Sequence, residues 1–163
     1  MAKRLSFIFL FAFSGYLTGQ PAHIADSFQN AQKNGNAIWA LENEYPKACS
    51  SDTSVSVFKT EREVNKMYSA YNKMLDDFRN YLKVNGYRFD NPVKCINRVY
   101  FSSNGSIDYF YFNFLASNPA DKPSLEKQDQ FKRLLAAFIA DYRVDIVAPS
   151  KFAHYAPTTF TNN

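Results

Sequence analysis

Apolar residues recur at three- and four-residue spacing between Thr60 and Gly86, and this is the clearest pattern in the chain. They are Val64, Met67, Tyr68, Tyr71, Met74, Leu75, Phe78, Tyr81 and Leu82. Such a period is typical of one face of an amphipathic helix. Thr60 and Glu63 match a capping box at its start, and Asn85-Gly86 matches a left-handed stop at its end. The pattern predicts a helix over residues 61–83.

A β-hairpin is the second clear pattern. Two segments rich in aromatic and β-branched residues, Cys95 to Ser102 and Ser106 to Leu115, flank Asn104-Gly105. Asn-Gly is the preferred pair for a two-residue type I′ turn. We therefore predict a hairpin over residues 95–115. A two-residue turn places Tyr100 opposite Tyr109, Val99 opposite Phe110, Arg98 opposite Tyr111, and Cys95 opposite Phe114.

Alternation along the two strands gives the hairpin two different faces. One face carries Cys95, Val99, Phe101, Phe110, Phe112 and Phe114, and we expect it to be the core side. The other, which we call the tyrosine face, carries Ile96, Arg98, Tyr100, Ile107, Tyr109 and Tyr111. Tyrosine and arginine are enriched at binding interfaces, so the candidate ligand- or partner-binding residues are Arg98, Tyr100, Tyr109 and Tyr111. The alternative is that a helix covers this face.

The remaining segments carry weaker patterns. Ile24 to Tyr45 is weakly helical, and Ser124 to Tyr142 has clear helical spacing. Val144 to Val147 is compatible with a short strand before Pro149, and Lys151 to Asn163 with an irregular tail.

These elements predict an α+β fold. Its centre is a small antiparallel sheet built on the hairpin, and the amphipathic helices at residues 61–83 and 124–142 pack on one face of that sheet.

A basic and then apolar segment begins the chain. Lys3 and Arg4 precede the apolar run from Leu5 to Leu17, which is followed by Thr18-Gly19. That order is typical of a secretory signal peptide. At about 13 residues the run is shorter than the roughly 20 that a spanning helix needs. We expect residues 1–19 to be cleaved, with Ala25/Asp26 as the alternative site. Residues 20–163 then form one secreted or periplasmic domain without a stable membrane anchor.

Charge and composition narrow the class of partner. The chain has 19 Lys and Arg against 15 Asp and Glu, and without Lys3 and Arg4 the net charge falls to +2. Nucleic-acid binding normally requires a clustered basic surface, so no nucleic-acid partner is expected. The 16 Phe and 11 Tyr favour a folded, aromatic core.

Only two cysteines are present, Cys49 and Cys95. In an oxidising compartment, an even cysteine count predicts a disulfide between them. Two unpaired buried thiols are the alternative. Two isolated cysteines without nearby histidine do not form a metal site, and no cofactor motif is present.

Sequence motifs for catalysis are missing, and no catalytic residue is assigned. His154 stands alone in the tail, where a surface or half-packed histidine needs no functional explanation. The favoured hypothesis is a non-enzymatic secreted or periplasmic module that binds a protein or a glycan. A small secreted enzyme assembled from dispersed residues is the alternative, and a pocket joining His154 to a carboxylate and a Ser or Tyr hydroxyl would favour it.

The run from Asn97 to Phe114, with Asn104-Gly105-Ser106-Ile107 at its turn, resembles the C-terminal domain of TonB-type energy transducers. In that family, a hairpin with a comparable turn precedes a helix and a further strand. The resemblance covers Ile96 to Val147, about a third of the chain, and implies a component of the cell envelope. A transducer of that family also has an uncleaved membrane anchor and a long Pro-rich spacer, and the sequence shows neither pattern.

Overall fold

A computed structural model describes residues 23–35, 38–116, 118 and 121–161. The predicted leader and the cleavage point after Gly19 lie outside the described residues. The elements, in chain order, are β1 (Ile24–Ser27), α1 (Phe28–Lys33), α2 (Ile38–Glu44), a 3₁₀ turn (Thr53–Val55), α3 (Glu61–Val84), β2 (Val93–Phe101), β3 (Ile107–Leu115), α4 (Leu125–Asp141) and β4 (Phe152–Phe160).

The described strands form a four-stranded sheet in the order β1-β3-β2-β4. β1 runs parallel to β3, and the other two pairs are antiparallel. The predicted α+β class is therefore confirmed, with a mixed rather than purely antiparallel sheet. Helices lie on both faces, which corrects the expectation of one covered face: α3 and α4 pack on the phenylalanine side, and α1 and α2 pack on the tyrosine side.

Local signals place the two long helices correctly. The Thr60 hydroxyl accepts a hydrogen bond from the Glu63 amide at 3.3 Å, and the Glu63 carboxylate accepts one from the Thr60 amide at 3.0 Å. Gly86 ends α3 with a φ of 71°, which an L side chain rarely adopts. Ser124 caps α4 by accepting from the Lys127 amide. Both predicted helices are confirmed.

The hairpin register is also confirmed, but its turn differs from the prediction. Tyr100 lies opposite Tyr109 and Cys95 opposite Phe114. The Ser102 amide donates to the Ser106 carbonyl, which closes a three-residue loop rather than a two-residue turn. Gly105 has a φ of 84°, whereas none of the non-glycine residues in the described ranges has a positive φ. A Cβ on Gly105 would lie 2.3 Å from the Val144 carbonyl oxygen, so glycine is required there for space as well as conformation.

A β-bulge restores the register beyond this loop. The pairing shifts between Tyr100 and Phe101, because Phe101 lies opposite Ile107 while Tyr100 lies opposite Tyr109. Asp108 is the extra residue, and a bulge of this kind re-aims the side chains next to it. As a result, Ile107 joins the phenylalanine-side core and not the tyrosine face on which it was predicted.

The C-terminal stretch is a strand, which corrects the predicted irregular tail. β4 pairs with β2 along its whole length, whereas Val144 to Val147 forms no strand. Pro157 lies within β4, and a proline there is tolerated because β4 is an edge strand.

The start of the described chain is a strand as well. β1 occupies part of the segment predicted to be weakly helical, and Ala25 lies opposite Phe110. Cleavage at the alternative site, Ala25/Asp26, would cut through this strand.

The two cysteines are free thiols, so the predicted Cys49–Cys95 disulfide is wrong. Ala48, next to Cys49, donates its amide proton to the Ala153 carbonyl, while Cys95 lies opposite Thr158 on the same strand. Ala153 and Thr158 are five residues apart on β4, which corresponds to about 17 Å in an extended strand. The two cysteines, one beside each end of this span, are therefore too far apart for a disulfide, which requires Cα atoms within about 7 Å. Burial also raises the pKa of the Cys95 thiol to about 12.

Mass spectrometry of the unfolded, unreduced protein should therefore find two alkylatable thiols. Cys95 should react only after unfolding, because it is fully buried. An intact mass lower by two hydrogen atoms, with no alkylation before reduction, would contradict this arrangement.

Candidate functional site

The tyrosine face of the hairpin is covered by α1 and α2. Tyr100 and Tyr111 are fully buried, and Tyr109 is half-buried. The side chains packed over them are apolar residues of the two short helices and the residue after α2: Ala31, Ile38, Leu41 and Tyr45. The alternative that a helix covers this face is therefore confirmed, and truncating these tyrosines to alanine would act on stability first.

α1 and α2 leave an open groove between them, which we call the aromatic groove. It has a volume of about 590 Å³ and is lined by Phe28, Gln32, Gly35, Ile38, Trp39, Glu42 and Arg98. Trp39 is 71% exposed, although the neighbouring Ile38 is buried. Ile38 and Leu41 face the sheet, and this directs the intervening Trp39 towards solvent.

Arg98 lines the aromatic groove and, like Tyr109, is a predicted binding residue that stays partly accessible. One of its guanidinium nitrogens lies 2.8 Å from the Glu42 carboxylate. The guanidinium carbon is 4.5 Å from the ring centre of Phe28 and 5.1 Å from that of Tyr155. Stacking on two rings holds the planar group in place. Its charge is also matched by Glu42.

A smaller side pocket adjoins the aromatic groove. It has a volume of about 90 Å³, is lined by Phe28, Ile96, Arg98, Tyr111 and Asn113, and shares Phe28 and Arg98 with the groove. The Tyr111 hydroxyl is buried and has no hydrogen-bond partner in the described part of the chain. Burial raises the pKa of Tyr111 to about 12, so the phenol stays protonated and keeps a proton to donate.

A second cleft lies where the parallel strands β1 and β3 end. Its volume is about 380 Å³, and its lining includes Asp26, Asn113, Gln128, Asp129 and Lys132. The Lys132 ammonium lies 3.8 Å from Asp26 and 3.7 Å from Asp129. The cleft thus has polar walls, but its described lining includes no exposed aromatic ring comparable to Trp39.

The bulged Asp108 is a buried carboxylate that the sequence did not single out. It accepts hydrogen bonds from the Tyr45 hydroxyl at 2.9 Å and from the Ser102 hydroxyl at 2.7 Å. Burial, followed by the hydrogen bond to Asp108, raises the pKa of Tyr45 above its usual range. These contacts connect the end of α2 to the hairpin, so Asp108 stabilises one wall of the aromatic groove.

His154 lies on the opposite side of the sheet, against α3. Its ring contacts Tyr68 and Tyr71 edge-to-face, and its Nε2 has no partner among the described residues. No described carboxylate or Ser hydroxyl is hydrogen-bonded to it. The pocket that would favour the enzyme alternative is therefore not formed around His154.

A buried polar cluster also lies under α3. The Asn97 amide donates to the hydroxyls of Thr158 and Tyr71 at 3.1 and 3.4 Å, and the Cys95 thiol donates to its carbonyl oxygen. These groups satisfy one another and line none of the cavities described above. Within the described residues, no group of three or more His, Cys, Asp or Glu is placed to hold a metal ion.

No protein-family model, curated protein or solved structure matches the chain. The resemblance to TonB-type transducers therefore stays a prediction. None of the helices in the described ranges has the length and apolar character needed to cross a bilayer.

Proposed function

We propose that this chain is a non-enzymatic binding module, secreted or periplasmic, whose ligand lies in the aromatic groove. The observation that carries the proposal is Trp39, an indole that is 71% exposed beside the stacked Arg98. Tryptophan and arginine are, with tyrosine, enriched among binding hot spots. A large aromatic side chain left in water contributes little to folding, so its placement beside a groove favours a role in binding.

The rigidity of the Arg98 side chain supports the same proposal. The guanidinium is held by Glu42, Phe28 and Tyr155 in the ligand-free protein. A ligand that contacts it would therefore lose little of its binding energy to ordering that side chain.

An array of soluble oligosaccharides and peptides, probed with the labelled protein, tests the proposal. We expect Trp39→Ala to weaken binding to the ligands captured by the wild type by about 30-fold, a typical hot-spot loss of about 2 kcal/mol. Leu125→Ala is the matched control, because Leu125 is 81% exposed on α4 and lines only the other cleft. Capture that is unaffected by Trp39→Ala, or no capture at all, would contradict the proposal.

A TonB-like envelope component is the second candidate. The hairpin followed by α4 is the order that the resemblance implies, although the next strand, β4, begins at Phe152, beyond the segment Ile96 to Val147 that the resemblance covers. An intact Met1 in the membrane fraction, together with association with an outer-membrane receptor, would favour this candidate over the exported binding module.

A further inference from the structure

We infer that the aromatic groove and its side pocket together bind an N-acetylated saccharide, with a sugar ring on Trp39 and an acetamido group in the side pocket. This inference rests on the proposed function, since it names the class of ligand for the same groove.

Charge complementarity favours a neutral ligand. Arg98 and Glu42 are the charged residues among the described lining of the aromatic groove, and they neutralise each other at 2.8 Å. A strongly anionic or cationic ligand would have to separate this pair. A sugar hydroxyl can accept from the guanidinium and donate to the carboxylate while the pair stays intact.

The shape of the groove favours a flat, partly apolar ring. The exposed Trp39 presents an indole, and the buried Ile38 lies next to it in the lining. One face of a pyranose ring carries C–H groups that can lie on an indole, while its hydroxyls reach Gln32 and Glu42 at the rim.

The side pocket has the size and chemistry for an acetamido group. Its volume of about 90 Å³ accommodates a few non-hydrogen atoms. Phe28 and Ile96 supply apolar contacts for a methyl group. The Asn113 carbonyl oxygen already accepts a hydrogen bond from Gln29, so its amide nitrogen remains available as a donor to an acyl oxygen.

The unpaired Tyr111 hydroxyl is an independent indication of a ligand. A buried hydroxyl without a partner is costly in the ligand-free protein. Tyr111 lines the side pocket, and we expect its hydroxyl to donate to the acyl oxygen of a ligand bound there. The ligand would thus satisfy a group that the fold alone leaves unsatisfied.

Calorimetric titration of the protein with the β-linked trimer of N-acetylglucosamine, and separately with the β-linked trimer of glucose, tests the inference. The two probes differ mainly in the acetamido groups. We expect the acetylated trimer to bind at least about tenfold more tightly, the value of one hydrogen bond with its apolar contacts. We also expect Trp39→Ala to abolish binding of both trimers.

Tyr111→Phe distinguishes the contribution of the side pocket to binding from that of the aromatic groove. It removes only the unpaired hydroxyl, so we expect the variant to be at least as stable as the wild type. It should lose most of the preference for the acetylated trimer and keep its affinity for the glucose trimer. Ile96→Phe, which would fill the side pocket from its exposed edge, should have the same effect.

The outcomes distinguish this inference from the proposed function. Equal binding of the two trimers, or a preference unchanged by Tyr111→Phe and Ile96→Phe, would overturn the acetamido assignment alone. If neither trimer binds but a peptide on the array binds in a Trp39-dependent way, the saccharide inference is overturned, and the proposal that the aromatic groove is the binding site is supported. Binding that is unaffected by Trp39→Ala would overturn both the saccharide inference and the proposed function.

Discussion

Replacing Phe131 with alanine is expected to lower the free energy of unfolding by about 3–5 kcal/mol, the range for a fully buried phenylalanine. Phe131 lies on the buried face of α4 with no exposed surface. Its ring centre lies between 4.9 and 6.0 Å from six other ring centres, those of Phe78, Tyr87, Phe89, Phe112, Phe114 and Phe160. Truncation would leave a cavity between α4 and the sheet.

Urea denaturation of the purified variant measures this loss. Leu125→Ala on the same helix is the control, and it should change the free energy of unfolding by less than about 0.5 kcal/mol because the side chain is exposed. A similar small loss for Phe131→Ala would mean that α4 does not pack on the sheet as described.

Acidification should destabilise the protein through His154. Burial lowers the pKa of His154 to about 4 in the folded protein, against about 6.5 in an unfolded chain. The unfolded state therefore takes up this proton at a higher pH than the folded state. The free energy of unfolding should fall as the pH falls from about 6.5 towards 4, by a total of about 3 kcal/mol at about 1.4 kcal/mol per pKa unit.

His154→Phe isolates this effect, because a phenylalanine ring can occupy the same site beside Tyr68 and Tyr71 without titrating. We expect the wild type to lose about 2–3 kcal/mol more than the variant between pH 7 and pH 4.5. Acidic groups contribute equally in both proteins, so their effects cancel in this comparison. The same pH response in the two proteins would show that His154 is hydrated and not buried.

Local sequence signals predicted the parts of the fold that depend on neighbours in the chain. The ends of α3 were predicted from Thr60, Glu63 and Gly86, because capping and a left-handed stop involve only residues close together in the chain. The hairpin register followed from alternation, even though the turn contains one more residue than predicted. The bulge at Asp108 compensated for that extra residue.

Other parts depend on contacts between distant segments. β1 is a strand because it pairs with the edge of β3, and β4 is a strand because it pairs with β2. β4 was not predicted because Pro157 is unfavourable in a strand. The covering of the tyrosine face by α1 and α2 likewise depends on which face each short helix buries. Periodicity over six or seven residues does not determine this.

The candidate groove was predicted only in part. Arg98 was identified from its place on the hairpin. Tyr100 and Tyr111 both proved to be buried, and Tyr111 also lines the side pocket. Trp39 was missed, because its partners in the groove are brought together only by the fold. The available signal was a single tryptophan placed between two apolar residues of a weak helical pattern.

Chemical-shift mapping of the ¹⁵N-labelled protein tests the central claim most directly. The chain has one tryptophan, so the indole N–H signal of Trp39 reports on the groove without ambiguity. On titration with the acetylated trimer, or with whichever array ligand binds most tightly, we expect the largest shifts at this signal and at the amides of Phe28 and Arg98. Shifts concentrated at Gln128 and Lys132, with the Trp39 indole unchanged, would place the ligand in the second cleft and contradict the account.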